Sequence, residues 1–401
     1  MQCSKASRRG RFAAAVFAAA MLCSGVAPAA PHRPADDAVV LERLSAATVA
    51  LRSLRGEKPT GVDAASKLPE ALAAARHYVE VGQTYSDPRA YGYAQAALGT
   101  WWNADPAPPE LRVMRARILQ FRHDFDGALV QLEAALKADQ FNPEAWLLFA
   151  GIEQVRGNVR ASRAACLKLI PIADPLVGAT CAASTAALGG HTQQGEQLLA
   201  GALARPTAAS NGEKAWSWTA LAEMRERLGD ATGAQTAFRN ALALVPDDVY
   251  SRAAYADLLL DLDRPHDAGA LLGTDAAQAD ATLLRAAIAA QRSGGADAAM
   301  LRQALAERFA EARARGDETH LREQARFALE LERDAARALD LARRNFAVQR
   351  EPADARILLE SALAAGDAKS AGPALDWLRD TGVDAPRLRR LGAQLALEKA
   401  R

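Results

Sequence analysis

At 401 residues the chain exceeds what a single hydrophobic core sustains, so it is either several domains or one extended array. Half of its residues are hydrophobic but only 5% are aromatic. Ala and Leu carry the apolar content, which suits close helix packing, and no run of β-branched residues alternates with polar ones as a sheet requires. The formal net charge of +1 leaves no basic excess to condense on a phosphate backbone, which argues against a nucleic-acid partner.

The chain opens with Lys5, Arg8, Arg9 and Arg11, then an apolar run of 11 residues from Phe12 to Leu22, then the small residues Ala27-Pro28-Ala29. That order predicts a secretory signal peptide over 1-29, cut ahead of Ala30. The apolar run is too short for a spanning helix, and a retained anchor is the alternative. The leader carries four basic and no acidic residues, so 49 − 4 leaves 45 basic against 48 acidic, a net of −3. Cys3 and Cys23 leave with it. Cys166 and Cys181 remain, an even pair in an oxidising compartment. They fall on the second helix of one unit and the first helix of the next. A bridge there closes a loop of about 15 residues and stabilises by roughly 3 kcal/mol; the alternative is two buried thiols.

Residues 30-108 read as an N-terminal helical region. A flexible lead to Asp36 precedes a helix from Asp37 to Leu54, a Gly- and Pro-bearing loop from Arg55 to Ser66, and helices near Lys67–Val81 and Pro88–Trp101. Tyr78, Tyr85, Tyr91, Tyr93, Trp101 and Trp102 gather half of the chain's Tyr and Trp residues into one short stretch. Such rings either seal the N-terminal end of a stack or offer a second contact surface through Tyr91, Tyr93, Trp101 and Trp102. The run Ala104-Asp105-Pro106-Ala107-Pro108-Pro109 is a connector that no helix crosses.

From Glu110 a period sets in. Residues 109-272 alternate short amphipathic helices with tight hinges, most clearly between Ala215 and Asp248. There Trp218, Leu221, Ala222 and Arg225 form one helical stripe, and Ala234, Phe238, Ala241 and Leu242 form a second. Gly229 and Asp230 divide the two, and Pro246 closes the unit. Gly157 and Gly190 mark hinges 33 residues apart, and Ala234 and Ala268 repeat a small contact residue at 34. Residues 273-401 continue the pairing less regularly, with Gly294-Gly295 as a hinge, Ala338 and Ala371 as small contacts, and a charged terminal helix over Asp384–Lys399 placed as a solvent-facing cap. The alternating charges from Arg302 to Arg356 read as a solvated helix surface.

The motif W..LA..R...GD..GA...F..AL.L.P between Ala215 and Asp248 resembles a tetratricopeptide repeat (TPR), and so does the segment from Glu144 onward. Gln140, where a closing proline is usual, and Arg252, where Trp146 and Trp218 stand in their units, depart from the pattern. The resemblance implies an all-α superhelix of about nine to ten antiparallel helix pairs, whose first helices line a concave groove for a protein or peptide. It places Arg117, Phe121, Leu147, Trp216, Glu223, Arg227, Tyr250 and Asp257 on that groove, with Gln120, Gln154, Thr219 and Leu260 beside them; the alternative is that several of these pack against the next turn. The carboxylate clamp of relatives that hold chaperone tails is absent.

No catalytic, cofactor or metal constellation is legible. The six histidines lack a three- or four-residue partner. Gly190–Gly195 has a phosphate-loop spacing, but Glu196-Gln197 stands where lysine and hydroxyl belong. The expectation is a periplasmic scaffold that binds a protein of the cell envelope. It needs no cofactor or small-molecule substrate, and after leader removal it is not an integral membrane protein. The alternatives are a secreted α/α-toroid polysaccharide hydrolase or lyase, using carboxylates such as Glu80, Asp87, Asp105 or Glu110 near the aromatic cluster, and a structural spacer without a groove ligand.

Overall fold

The structure, a computed structural model, describes residues 67–85, 88–314, 316 and 318–399. The leader and the helix expected over Asp37–Leu54 lie outside the described residues, which contain 19 α-helices and no strand. They run as hairpins: α1 (Leu68–Tyr85) with α2 (Pro88–Leu98), α3 (Pro109–Phe121) with α4 (Phe125–Ala138), α5 (Pro143–Val155) with α6 (Val159–Leu169), and α7 (Pro175–Leu188) with α8 (Thr192–Leu203). Next come α9 (Asn211–Arg227) with α10 (Ala231–Leu244), α11 (Val249–Asp261) with α12 (Pro265–Leu272), and α13 (Asp280–Ser293) with α14 (Ala298–Ala314). The series ends with α15 (Leu321–Phe327) and α16 (Ala335–Val348), α17 (Pro352–Ala364) and α18 (Gly372–Thr381), and the single helix α19 (Pro386–Lys399). Nine pairs and a terminal helix match the expected superhelix.

Eight of the helices start where the sequence supplies a side-chain cap. Asp124, Asn142, Asn158, Asp174, Asp230, Asp248 and Asp334 accept a backbone N–H of their own first turn through the side chain. Ser210 and Glu213 close a capping box on α9. The hinges inside the hairpins require a left-handed residue, and Gly157, Gly190 and Gly229 supply it at φ 77°, 80° and 83°. His123, Asp263 and Arg333 adopt the same conformation at φ 58°, 56° and 60°. The hinge is therefore conserved in geometry along the array even where glycine is missing.

The second helices press small residues against their partners. Ala128, Ala234, Ala268, Ala338 and Ala371 are all fully buried, which lets backbones approach and large side chains such as Phe238 and Leu132 fill the spaces between layers. The apolar interior runs as overlapping clusters: aromatic-rich around α1–α3, aliphatic at α3–α5, and then two larger ones from α7 to α15 and from α15 to α19. Between them, Cys166 on α6 and Cys181 on α7 are joined in a disulfide, their Cα atoms 5.6 Å apart, inside a cluster with Leu169 and Val177. Hydroxyl pairs cross neighbouring repeats: Ser162 with Thr185 at 2.8 Å, Thr180 with Ser217 at 2.8 Å, and Thr219 with Ser251 at 2.6 Å. They satisfy buried polar groups that an alanine-lined contact leaves behind.

The stack curls until its late repeats meet its early ones. The backbone N–H of Arg350 donates to the carbonyl of Val155 at 2.6 Å. The N–H of Thr192 donates to Asp384 at 3.2 Å, and Gln349 lies 3.3 Å from His123. The α16–α17 and α18–α19 turns thus rest along the hinges of α3–α4, α5–α6 and α7–α8. The terminal helix α19 buries Leu388 and Leu395 on one face and leaves Arg389, Arg390 and Leu397 exposed on the other, while Arg387 reaches Asp261 at 2.6 Å.

Two glycines separate the seam from the hinge strain. A Cβ on Gly190 would stand 2.5 Å from the carbonyl oxygen of Gly382, whereas one on Gly229 meets no atom within 4 Å. Both substitutions place alanine in the left-handed region, at a cost of roughly 1–2 kcal/mol. Gly190→Ala is expected to lose about 1–3 kcal/mol more than Gly229→Ala in denaturant unfolding, because it also forces the seam apart. Equal losses would mean that the seam contributes nothing to stability.

Candidate functional site

The inner face of the superhelix belongs to the first helix of each pair. On α9, Trp216, Glu223 and Arg227 share one stripe at spacings of seven and four. On α11, Tyr250, Asp257 and Asp261 repeat that stripe 34 residues later, position for position. The outer ends of the two stripes carry aromatic surface: Trp216 is 37% and Tyr250 57% exposed. Neither is a core residue. Between the stripes the Tyr250 hydroxyl donates to Glu223 at 2.6 Å. The neighbouring Glu223 carboxylate, together with burial, pushes the Tyr250 pKa well above the usual value, although the residue is more than half exposed.

Below the aromatic pair, the stripes enter a lattice of ion pairs that spans five first helices. Asp257 receives Arg285 of α13 at 2.8 Å and Arg326 of α15 at 2.5 Å. Arg285 also approaches Glu323 at 3.8 Å, and Arg326 pairs with Glu330 at 2.6 Å. Arg322 joins Glu323, Glu351 and the fully buried Asp354 at 3.4–3.7 Å. Asp261 takes Arg356 of α17 at 2.7 Å and Arg387 of α19 at 2.6 Å. Burial raises the Asp257 carboxyl, but the guanidiniums of Arg285 and Arg326 more than offset it and hold the group well below the carboxylate range. The same contest, decided by Arg322 and Arg285, lowers Glu323.

Two carboxyls lose that contest. Burial, reinforced by Asp261, Glu223 and Asp257, pushes Glu226 up to about 7, with Arg356 opposing. Burial and then Asp354 push Glu351 up to about 7, with Arg322 opposing. Burial likewise raises Glu223 and lowers Arg227.

The residues placed on the groove from the sequence divide. Trp216, Glu223 and Arg227 share one stripe of α9, and Glu223 is joined to Tyr250 by a hydrogen bond. Asp257 lies on the matching stripe of α11, but both its oxygens are held by arginines. Thr219 and Leu260 are buried between helices, not on the groove, because a stripe turned toward the axis also meets the neighbouring first helix. Gln154 donates to Thr185 at 2.8 Å, and Gln120 is half-buried. Arg117 pairs with Glu144 at 3.0 Å, linking α3 to α5, while Leu147 packs on the disulfide cluster. Phe121 stacks on Tyr91, ring centres 3.5 Å apart, so those two pack on each other. Tyr91 is buried and offers no contact surface; Tyr93, Trp101 and Trp102 are half-buried against the same cluster, and Arg115 donates to the Trp101 carbonyl. The departures from the repeat pattern are absorbed locally: the Gln140 carbonyl accepts from the Trp146 indole at 2.9 Å, and the buried Arg252 donates to the Leu272 carbonyl.

Arg285, Arg322, Arg326 and Arg356 were missed, and the solvated surface expected over Arg302–Arg356 is corrected in part. Arg302 and Arg313 are exposed, whereas Arg326, Glu330 and Arg356 are turned inward. The legible signal was the four-residue spacing of Arg322, Arg326 and Glu330, which keeps all three on one face. Of the carboxylates near the aromatic cluster, Glu80 and Glu110 are exposed, Asp105 pairs with Arg112 at 3.0 Å, and Asp87 lies outside the described residues. Among the described residues no group of three His, Cys, Asp or Glu side chains is placed to hold a metal, and no helix is long and apolar enough to cross a membrane.

The two raised carboxyls set a pH dependence. Between the ordinary value of 4.5 and about 7 the folded chain keeps protons on Glu226 and Glu351 that the unfolded chain releases. Stability from these groups is therefore full below pH 4.5 and falls as pH rises through 7. Carboxyls lowered by arginine, such as Glu323, lose their contribution only at more acidic pH and do not cancel this trend. Glu226→Gln is expected to raise stability at pH 8 by on the order of 2 kcal/mol and to leave it nearly unchanged at pH 5. Thermal unfolding at the two pH values checks this, and an equal shift at both would contradict it.

No protein-family model matches the chain, and no curated protein does. Solved structures do. A thermophilic TPR protein from Thermus thermophilus is 18% identical, with a TM-score of 0.38 over 46% of this chain and 99% of its own. A Rap protein complexed with competence and sporulation factor is 14% identical, with a TM-score of 0.48 over 84% and 100%. A tetratricopeptide repeat protein from Parabacteroides merdae is 12% identical, with a TM-score of 0.36 over 74% and 99%. Independently of these likenesses, the hairpin series described above makes the fold an all-α superhelix of antiparallel helix pairs.

Proposed function

We propose that the chain is a non-catalytic scaffold, exported to the periplasm, that binds a protein or peptide of the cell envelope on the inner face of its superhelix. The observation that carries this is the paired exposure of Trp216 and Tyr250 at equivalent positions of consecutive repeats. Large amphipathic rings exposed on one face are the side chains that dominate binding energy when a partner covers them. The carboxyls of Glu223, Glu226 and Glu351 favour a segment that brings donors or basic side chains, since a cation beside them offsets the burial that raises those groups. The basic start, short apolar run and small-residue site of the leader support export, and the disulfide between Cys166 and Cys181 accords with an oxidising compartment.

Asp261 ties α11, α17 and α19 together, so the partner binds as an extended segment or single helix beside the aromatic pair, not along the whole inner face. Crosslinking capture from intact cells tests the reading. Trp216→Ala with Tyr250→Ala is expected to lose the captured protein, with affinity for it falling by about 30-fold or more, while helical circular dichroism stays as in the parent. Undiminished capture by this double variant would remove the inner face as the binding site.

A further inference from the structure

A second site lies on the seam. Where α16 and α18 return against the α5–α6 hinge they leave a cleft of about 1100 Å³, lined from four repeats. None of its lining residues belongs to the Trp216–Tyr250 stripes. Arg160 and Arg163 face it from α6, Arg343 and Arg344 from α16, and Arg350 from the turn that follows. Across from them α18 contributes Asp376, Trp377 and Asp380 at the spacing of one helix face.

The charges in the cleft do not balance. Asp376 and Asp380 are both engaged by Arg379 of their own helix, at 3.0 and 3.3 Å, and Asp340 is taken by Arg344 at 3.5 Å. Among the described residues no carboxylate forms an ion pair with Arg160, Arg163, Arg343 or Arg350, although Arg343 acts on Asp367 from farther away. Trp377 adds a donor of a different kind: it is 7% exposed, packs edge-on against Phe346, and its indole N–H has no acceptor. A buried N–H left unsatisfied is costly. Four unpaired guanidiniums and an orphaned indole donor form a wall of donors without acceptors.

We infer that this cleft binds an acidic segment of a partner protein, whose carboxylates pair with Arg160, Arg163, Arg343 and Arg350. A dense polyanion fits less well, because the Asp376–Asp380 side repels it, whereas a peptide sets its carboxylates on one side and its amide groups on the other. The volume exceeds that of an ordinary small-molecule pocket. Because the arginines come from α6 and from α16 with its following turn, an occupant bridges the two ends of the seam and holds the superhelix closed.

The test uses the full-length exported chain and a short oligoglutamate peptide, with oligolysine and inorganic tripolyphosphate as alternatives. Oligoglutamate is expected to change the tryptophan emission, to lose that signal in Trp377→Phe while binding persists by calorimetry, and to weaken steeply with added salt. Arg163→Glu with Arg343→Glu is expected to weaken it about tenfold or more, with the parent's melting temperature, while capture at the inner face is unaffected. Unchanged oligoglutamate affinity in that double variant, or binding of tripolyphosphate without oligoglutamate, would overturn the assignment.

Discussion

A hairpin of two short helices carries more apolar surface than its own partner helix covers. The α9–α10 pair shows the consequence: Leu221, Ala222, Met224 and Phe238 are all fully buried, yet they are enclosed only because α7, α8, α11 and α12 lie against them. Everything else in the molecule follows from that need for neighbours. Small residues at the helix contacts fix how closely consecutive pairs sit, and the left-handed hinge residues fix how each second helix leaves the first. A nearly constant step repeated nine times turns the array about an axis, and the early and late repeats come level with each other.

That closure divides the polar residues into two populations. Charges on the outer surfaces, such as those of α14, meet water and contribute little. Charges on the first helices are trapped inside the turn, where desolvation is expensive unless each group finds partners. Asp257 with Arg285 and Arg326, and Asp261 with Arg356 and Arg387, join helices that are 28 to 126 positions apart in sequence. The lattice sets the register of one repeat against another, and Trp216 and Tyr250 remain exposed beside it.

The fold was legible because helical periodicity, caps and hinge glycines are local signals: Asp124, Asn158 and Asp230 announce helix starts without reference to the rest of the chain. The stripe of Trp216, Glu223 and Arg227 was legible for the same reason. The seam was not, since nothing local in Val155 or Gly190 says that Arg350 or Gly382 will arrive beside it; that depends on the sum of small rotations over many repeats. Closure also explains why the run from Arg302 to Arg356 was misread in part. Alternating charge looks the same on a solvated helix and on a first helix whose charges face other charges across an enclosed axis. Hinges at His123, Asp263 and Arg333 escaped notice because the left-handed conformation there is imposed by the hairpins on either side and is not signalled by glycine.

A chain with almost no net charge is therefore not electrostatically neutral in detail. Burial, with neighbouring carboxylates adding to it, holds protons on Glu226 and Glu351 up to about 7. At the seam Arg160, Arg163 and Arg350 have no carboxylate partner among the described residues, and Arg343 acts on Asp367 without an ion pair. Neither feature is required by the packing of small residues that builds the superhelix, since the arginines of the seam are exposed and the raised glutamates weaken the folded state above pH 7. Closure is what gathers such residues, which cost stability or add none, from repeats far apart in the chain.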